Sequence, residues 1–451
     1  FRDNDTAGIQ GPNHIQIGNV FSSKQEAENF MYSLTKLPED PYLVYENGWR
    51  VWMGAYTTQA KAKEVCDSIR TALPNTPLNI FSQDQKRIQV VDKSGKILLM
   101  YPTGSYYFKS KNLIQIDGKT FRGDVMIRRY ADSDLTVINQ ISLTEYLYGV
   151  VPKEVSGSWP IEAQKAQAVA ARNYTILNLN KHAQHGFDLC ASTHCQVYGG
   201  YDSEHPTSRK AVDETKDRVL TYNGKLINAF YHSNSGGHTE NAENVWTYPL
   251  DYIKGVPDPY SIGAPNDTWT MTYTKQEIEQ ILASQGLSVG EVKDISILET
   301  SQNGRVLKLL IKGSTGERIL EKEKIRSVFG YNNIKSTWFE IVKDSNTGQS
   351  SMNALSDPSM ESKTIDTKNK YVLTASGLAE KGSLEGSVLF NGSEYMEITD
   401  LPIAPSGKYV FNGRGWGHGL GMSQWGAKKM AEEGFDYEQI LTYYYRGTKV
   451  E

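Results

Sequence analysis

Tyr148-Gly149-Val150-Val151-Pro152-Lys153-Glu154 is followed within five residues by Trp159-Pro160, and then by Ala163, Ala166, Ala170 and Ala171. The alanine pattern predicts a helix over about 159–180, with Pro160 suited to its first turn. Its small side chains let a neighbouring element pack close. Pro152 stiffens the chain ahead of a Lys-Glu pair, so Glu154 is expected to project from a tight turn in front of that helix. Val151, Val155 and Trp159 would desolvate its carboxyl, as a general acid near neutral pH requires. A Glu here also fits a charge at a helix start. Glu145 and Glu162 are rivals, and Glu162, inside the first turn, suits the dipole role better.

Upstream, the first 80 or so residues carry an internal repeat. His14-Ile15-Gln16-Ile17-Gly18 leads through Phe21 to Lys24-Gln25-Glu26-Ala27-Glu28, and Val51-Trp52-Met53-Gly54 leads through Tyr56 to Gln59-Ala60-Lys61-Ala62-Lys63. Each copy reads as a strand, a Gly, an aromatic, a Ser/Thr pair for an N-cap and an amphipathic helix. Two such halves make a small α/β sandwich of the split βαβ kind. Arg87–Val91 and Lys96–Met100 flank an Asp92-Lys93-Ser94-Gly95 turn and predict a hairpin. Residues 275–287 read as a helix followed by strands. Residues 344–370, rich in Ser, Asn, Asp and Lys, read as a flexible surface excursion. The expected fold class is α+β: a small unit over residues 1–85, then a larger mixed α+β domain over 86–451.

Three further segments carry chemistry. His182, His185, Cys190, His194 and Cys195 fall within fourteen residues and match the imidazole–thiolate preference of tetrahedral zinc. A Cys190–Cys195 disulfide, a Cys195 nucleophile and an unligated cluster compete with that reading. Phe230-Tyr231-His232-Ser233-Asn234-Ser235-Gly236-Gly237-His238-Thr239-Glu240 is a small, polar loop suited to close approach by a sugar. It lacks the Gly-x-Ser-x-Gly elbow of a serine hydrolase. In Gly413-Arg414-Gly415-Trp416-Gly417-His418-Gly419-Leu420-Gly421-Met422-Ser423-Gln424-Trp425-Gly426, alternate glycines leave one strand face bare, for a neighbouring strand or a flat ligand.

The bulk composition narrows the class. A net charge of −4 over 451 residues gives no footprint for nucleic acid. Three cysteines make no disulfide scaffold, and Cys66 reads as a buried small hydrophobe. The 27 Tyr and 8 Trp suit sugar stacking and a large core alike. The chain opens Phe1-Arg2-Asp3 without an initiator Met, compatible with a removed secretory signal or anchor.

Together, Val151–Glu154, Trp159-Pro160 with Ala166–Arg172, Asp188–Cys190 with His194–Tyr198, Tyr231–Ser233 with Gly236–Thr239, and Gly413–Gly426 resemble the catalytic domain of the stage II sporulation protein D (SpoIID/LytB) family, from about residue 97 onward. The N-terminal repeat resembles the glycan-binding SPOR domain. The resemblance implies an extracytoplasmic lytic transglycosylase that cleaves peptidoglycan glycan strands denuded of stem peptides, with Glu154 as the catalytic group. It implies a structural zinc on His185, Cys190, His194 and Cys195, and no organic cofactor. Tyr231, Ser235, His238, His418 and Gln424 are expected to orient the sugar ring. A hydrolase needs two carboxyl groups flanking the bond, whereas a lytic transglycosylase uses one. The competing class is a glycan-binding enhancer that recruits a cell-wall amidase.

Overall fold

In the computed structural model the described residues are 2–3, 11–82, 87–129, 135–246, 248–343 and 408–451, together with the backbone of six short strands between 351 and 397. The surface excursion read over 344–370 lies largely outside them. Two compact units are formed, residues 1–153 with 178–204 and residues 154–177 with 205–451. Among the described residues no helix is long and apolar enough to cross a membrane.

The first unit is built on a seven-stranded sheet in the order Leu78–Ser82, Asn13–Phe21, Trp49–Tyr56, Pro41–Tyr45, Ile97–Pro102, Arg87–Val91, Arg2–Asp3. Both halves of the repeat lie in it, and Ile15 pairs directly with Met53 and Ile17 with Val51. The repeat helices Lys24–Ser33 and Gln59–Ala72 start at Ser23 and Thr58, whose hydroxyls accept from the backbone N–H three residues on. They bury Ala27, Ala62, Cys66 and Ile69 against the sheet, so Cys66 is a core residue. The sheet runs past residue 85. The hairpin Arg87–Val91/Ile97–Pro102 joins it through a parallel pairing with Pro41–Tyr45. In its turn Asp92 accepts from the Ser94 and Lys96 N–H groups.

The second unit has two cores. One surrounds the helix Ile161–Leu177, which is buried on nearly all sides. Its alanines admit close neighbours, and Ala166, Val169 and Ala170 meet Ala427 and Met430 of the helix Gln424–Glu432 and Ile440 and Tyr444 of the helix Tyr437–Tyr444. Of its buried polar residues, Asn173 exchanges hydrogen bonds with the Leu220 backbone and donates to the Ile227 carbonyl, whereas the Gln167 amide nitrogen has no hydrogen-bond partner. The other core holds the sheets Thr268–Thr274/Lys408–Arg414/Phe339–Lys343 and Val292–Thr300/Val306–Gly313/Glu317–Glu321, closed by the helices Lys275–Ser284 and Glu323–Phe329.

Candidate functional site

Glu154 is the last residue of the helix Leu143–Glu154, which continues through Pro152. The tight turn expected in front of the next helix is therefore helical instead. The i−4 bond that Pro152 cannot make is the one to the Tyr148 carbonyl, and the next carbonyl, of Gly149, accepts from the Gly199 N–H at 3.1 Å and the Ser203 hydroxyl at 3.2 Å. Gly149 has no substitute, since a Cβ there would lie 2.5 Å from the Tyr198 ring. Glu154 is half-buried. The turn that follows is pinned by Gln164, whose amide donates to the carbonyls of Gly157 at 3.1 Å and Trp159 at 2.7 Å while accepting from Ser208 at 2.6 Å. Trp159 is thereby held with its ring centroid 4.8 Å from that of Trp425.

Trp425 belongs to the glycine-rich segment, and this segment and the 231–240 loop come together. Tyr231 and His232 pair in parallel with Met422 and Ser423. Asn234 and Trp416 exchange backbone bonds of 3.0 and 2.8 Å, Trp425 N–H donates to the Ser233 carbonyl at 3.0 Å, and Glu240 N–H donates to the Gly419 carbonyl at 2.8 Å. The alternate glycines are what this approach demands. Gly417, at φ +120°, would place a Cβ 2.6 Å from that of His232, and Gly421, at φ +66°, would place one 2.1 Å from the Phe230 carbonyl oxygen.

The residues expected to contact sugar divide by burial. Tyr231, His238 and His418 are half-buried, and His238 Nδ1 lies 2.6 Å from the Thr239 carbonyl. Part of His418 reaches solvent, but its ring is enclosed by Phe230, His232 and Trp246. Desolvation, reinforced by Arg326 and Arg305, pushes its pKa down to about 3. His418 Nδ1 accepts from the Leu420 N–H, so the proton sits on Nε2. Gln424 is nearly buried, its amide 3.4 Å from Gln167. Ser235 is fully buried, and its hydroxyl donates to Asp258 at 2.6 Å and lies 2.8 Å from the Ser261 hydroxyl. That is an internal brace, not a surface for sugar.

Other carboxyls near the junction are engaged. Asp258, buried, also accepts from the Tyr444 hydroxyl at 2.8 Å. Burial pushes its carboxyl up, against these hydrogen bonds. Glu240, fully buried, accepts from the Asn241 N–H at 2.7 Å, Asn244 at 2.9 Å, Asn303 at 2.8 Å and the Ser301 hydroxyl. Arg305 donates to the Ser235 carbonyl at 3.0 Å, and a Cβ on Gly419 would lie 2.4 Å from its guanidinium carbon. Glu162, the rival to Glu154, lies in the first turn of Ile161–Leu177, and its carboxylate accepts from the Tyr437 N–H at the start of the helix Tyr437–Tyr444 at 3.0 Å and from the Lys165 ammonium at 2.8 Å.

The cysteine–histidine cluster lies in the first unit. Its four converging donors are His182, Cys190, His194 and Cys195, mutually within 4.8 Å. His182 thus stands where His185 was expected. The chain folds back through a bridge between His182 and Phe187, and the intervening turn Ala183–His185 carries His185 to Gln184, away from the sulfurs. His182 Nε2 is 3.3 Å from Cys195 Sγ, and His194 Nδ1 is 3.7 and 3.6 Å from Cys190 and Cys195 Sγ. Zinc bonds of about 2.0–2.1 Å to nitrogen and about 2.3 Å to sulfur set neighbouring tetrahedral donors roughly 3.5–3.8 Å apart. The donor set fits zinc, and four protein ligands would leave no open position. The sulfurs are not bonded to each other. Partial burial raises the Cys190 thiol, but hydrogen bonds from Ser192, His194 and Cys195 bring it down to about 6.

The sequence reading missed the Trp159–Trp425 contact, the Asp258 brace and Arg305, and it counted His182 in the cluster but expected His185 as the ligand. The first three join residues that sit far apart in the chain with no local motif. His182 carries a local signal only in the turn that reverses the chain before Phe187.

The SpoIID family model, described as stage II sporulation protein, matches residues 131–222, which span Glu154 and the cysteine–histidine cluster. A domain of unknown function (DUF8618) matches residues 266–356, the segment that supplies Arg305. The chain is 31% identical over 351 residues to the amidase enhancer of Bacillus subtilis (strain 168), which covers 76% of this chain but only 45% of that protein. It is 28% identical over 348 residues to stage II sporulation protein D of the same organism, covering 72% of this chain and 79% of the relative. An uncharacterized protein of Brachyspira hyodysenteriae (strain ATCC 49526 / WA1) is 28% identical over 344 residues, covering 76% and 75%. Residues 131–222 carry the chain's similarity to the SpoIID family.

Proposed function

We propose that the protein acts outside the cytoplasm on peptidoglycan, as a lytic transglycosylase that cuts glycan strands with Glu154 as its single acid and base. The observation that carries this reading is the carboxyl inventory. Glu154 is half-buried at a helix end, next to a turn pinned so that Trp159 meets Trp425. Glu240 and Asp258, the carboxyls of the junction beyond, are sealed and consumed by hydrogen bonds. A hydrolase would need a second available carboxyl across the bond. The C-terminal end of a helix also carries partial negative charge, which works against an ionised carboxyl there.

In the proposed reaction the Glu154 carboxyl donates its proton to the glycosidic oxygen as the bond to the muramyl anomeric carbon breaks. The resulting carboxylate takes the proton of the muramyl C6 hydroxyl, whose oxygen closes on that carbon. A 1,6-anhydro end forms, no water is consumed and Glu154 is again protonated. Tyr231, His238 and the faces of Trp159 and Trp425 orient the ring. His418 and Gln424 support them from behind, with His418 neutral throughout. His182, Cys190, His194 and Cys195 would hold a structural zinc that stiffens the 178–204 segment.

The amidase enhancer relative favours a second reading, in which the same surface binds glycan and stimulates a separate hydrolase. Mass spectrometry of muropeptides after incubation with denuded glycan separates the two. Anhydro-muramyl ends, absent with Glu154→Gln, support the enzyme. Their absence with the wild type leaves the enhancer.

A further inference from the structure

Between the helices Ile161–Leu177 and Pro206–Glu214 the chain runs with no regular element longer than three residues. Of residues 178–204 only Gln196 and Gly200 are buried. So little enclosed surface cannot hold the stretch in shape by packing, and segments of this kind depend on a cross-link. Its later part is anchored: the Tyr198 hydroxyl donates to Asn139 at 3.0 Å and the Gly199 N–H to the Gly149 carbonyl at 3.1 Å. Ahead of those anchors the hold passes to His182, Cys190, His194 and Cys195.

This cluster lies at the surface. His182, Cys190 and Cys195 are half-buried and His194 is exposed, so a small sulfur reagent can reach the thiols. Both sulfurs are free and within 4.8 Å of each other, with Ala191–His194 alone between them in the chain. The Cys195 N–H donates to the Ser192 carbonyl at 3.1 Å, and this turn carries one cysteine back toward the other. Cys66, the third thiol, is shut inside the core of the sheet. The two cross-links open to the pair differ in reach. A zinc ion ties His182 to the 190–195 turn, whereas a Cys190–Cys195 disulfide closes that turn on itself and leaves His182 nothing to ligate.

We infer that the cluster is a redox switch, in which the same two cysteines hold zinc when reduced and pair as a disulfide when oxidised, releasing the ion. It rests on the structural zinc of the proposed function and on no property of the glycan reaction. The oxidant is an organic disulfide, a class of reagent that persists outside the reducing cytoplasm. Cys190 Sγ, beside the exposed Ser192 hydroxyl at 3.3 Å, attacks one sulfur of the oxidant and expels the other as thiolate. Cys195 Sγ, backed by His182 at 3.3 Å, then attacks the Cys190 sulfur of the mixed disulfide and expels the second thiolate. Two electrons pass from the cysteine pair to the oxidant, Zn²⁺ departs with its charge unchanged, and His182 and His194 stay neutral. Oxidation thereby loosens residues 178–189 and leaves 196–203 seated on Asn139 and Gly149.

The test uses the full chain, loaded with zinc and titrated with oxidised glutathione. A chromogenic chelator reads the zinc released, alkylation after denaturation counts thiols, and peptide mapping locates the disulfide. About one zinc per chain should appear in solution as the Cys190 and Cys195 thiols vanish and the Cys66 thiol remains. Amide hydrogen exchange over 178–189 should quicken by about tenfold or more, with 196–203 unchanged. Dithiothreitol with zinc should reverse every change, and Cys66→Ala should respond as the wild type does. Zinc and all thiols retained in excess oxidised glutathione overturn the switch. So does zinc lost with glutathione left on the cysteines and no bond between them. A chain that binds no zinc overturns the switch and the structural zinc together, with the role of Glu154 untouched. A chain that switches as described but releases no anhydro ends refutes the enzyme and supports the switch.

Discussion

Glu240→Ala is the change whose cost the structure sets most directly. The Glu240 carboxylate is fully buried and accepts from Ser301, Asn303, Asn244 and the Asn241 N–H. The asparagine amides and the Asn241 N–H lie in partly exposed surroundings and can turn to water. The Ser301 hydroxyl is buried, and it also anchors the turn by accepting from the Arg305 N–H at 3.1 Å. An unmet buried donor costs about 1–3 kcal/mol. Arg305, wholly buried, has its pKa lowered to about 10 by desolvation, and Glu240 is the foremost opposing charge. Removing that charge leaves a buried cation less compensated, with a penalty of about 3 kcal/mol or more. The two effects sum to about 4–6 kcal/mol, well beyond an ordinary substitution. Urea titration followed by near-ultraviolet circular dichroism should show the second unit's transition moved far to lower denaturant. Glu240→Gln, which keeps shape and loses charge, should fall between the two. A loss below about 1 kcal/mol for Glu240→Ala would refute the claim that this carboxylate holds the loop to the 301–305 turn.

Glu154→Gln should abolish anhydro-muramyl products while glycan binding persists, a loss of at least about 100-fold in rate, whereas Glu162→Gln should leave the rate largely intact and lower the melting temperature slightly. Gly421→Ala, with its Cβ 2.1 Å from the Phe230 carbonyl oxygen at positive φ, should prevent the junction from closing and give protein of low solubility or altered near-ultraviolet spectrum. Acid should destabilise the first unit through His14: its folded pKa, lowered to about 4 chiefly by burial, lies below the unfolded value near 6.5. The unfolded chain therefore takes up the proton first, and stability present above about pH 6.5 is lost as pH falls toward about 4, by up to about 3 kcal/mol. A melting temperature flat across that window, or unaltered by His14→Gln in its pH slope, would count against it. Elemental analysis should find about one zinc per chain, reduced in Cys195→Ser and His182→Ala but retained in His185→Ala.

Much of this was legible because it is written locally. The two strand–helix halves announce themselves by period, glycine and N-cap chemistry, and Ser23 and Thr58 cap the helices they precede. The alanine face of Ile161–Leu177 and the hairpin at Asp92–Gly95 are likewise short-range patterns. The alternate glycines were readable as a bare strand face, and the strand laid against it is Tyr231–His232 with its loop. What local pattern does not carry is exposure. Ser235 and Tyr231 look equally available in the sequence, yet Ser235 faces Asp258 inside the core, a partner 23 residues on that only the fold supplies. The same holds for His182 and His185, three positions apart. Which one meets the sulfurs depends on a chain reversal at Phe187 that neither residue type dictates. Glu154 was expected in a turn because Pro152 stiffens the chain ahead of it, yet the helix Leu143–Glu154 runs through that proline.

The parallel pairing of Tyr231-His232 with Met422-Ser423 has a consequence for how the protein matures. Partners nearly two hundred positions apart cannot meet until the later one has left the ribosome or the export channel, and contacts of such separation close slowly. Every earlier stage of synthesis therefore yields a chain whose Trp159 has no Trp425 to face and whose loop has no bare strand to lie on. Full assembly of the candidate site is postponed until residues 422–425 have been made. Exported unfolded, such a chain would complete that assembly only on the side of the membrane where its proposed substrate lies.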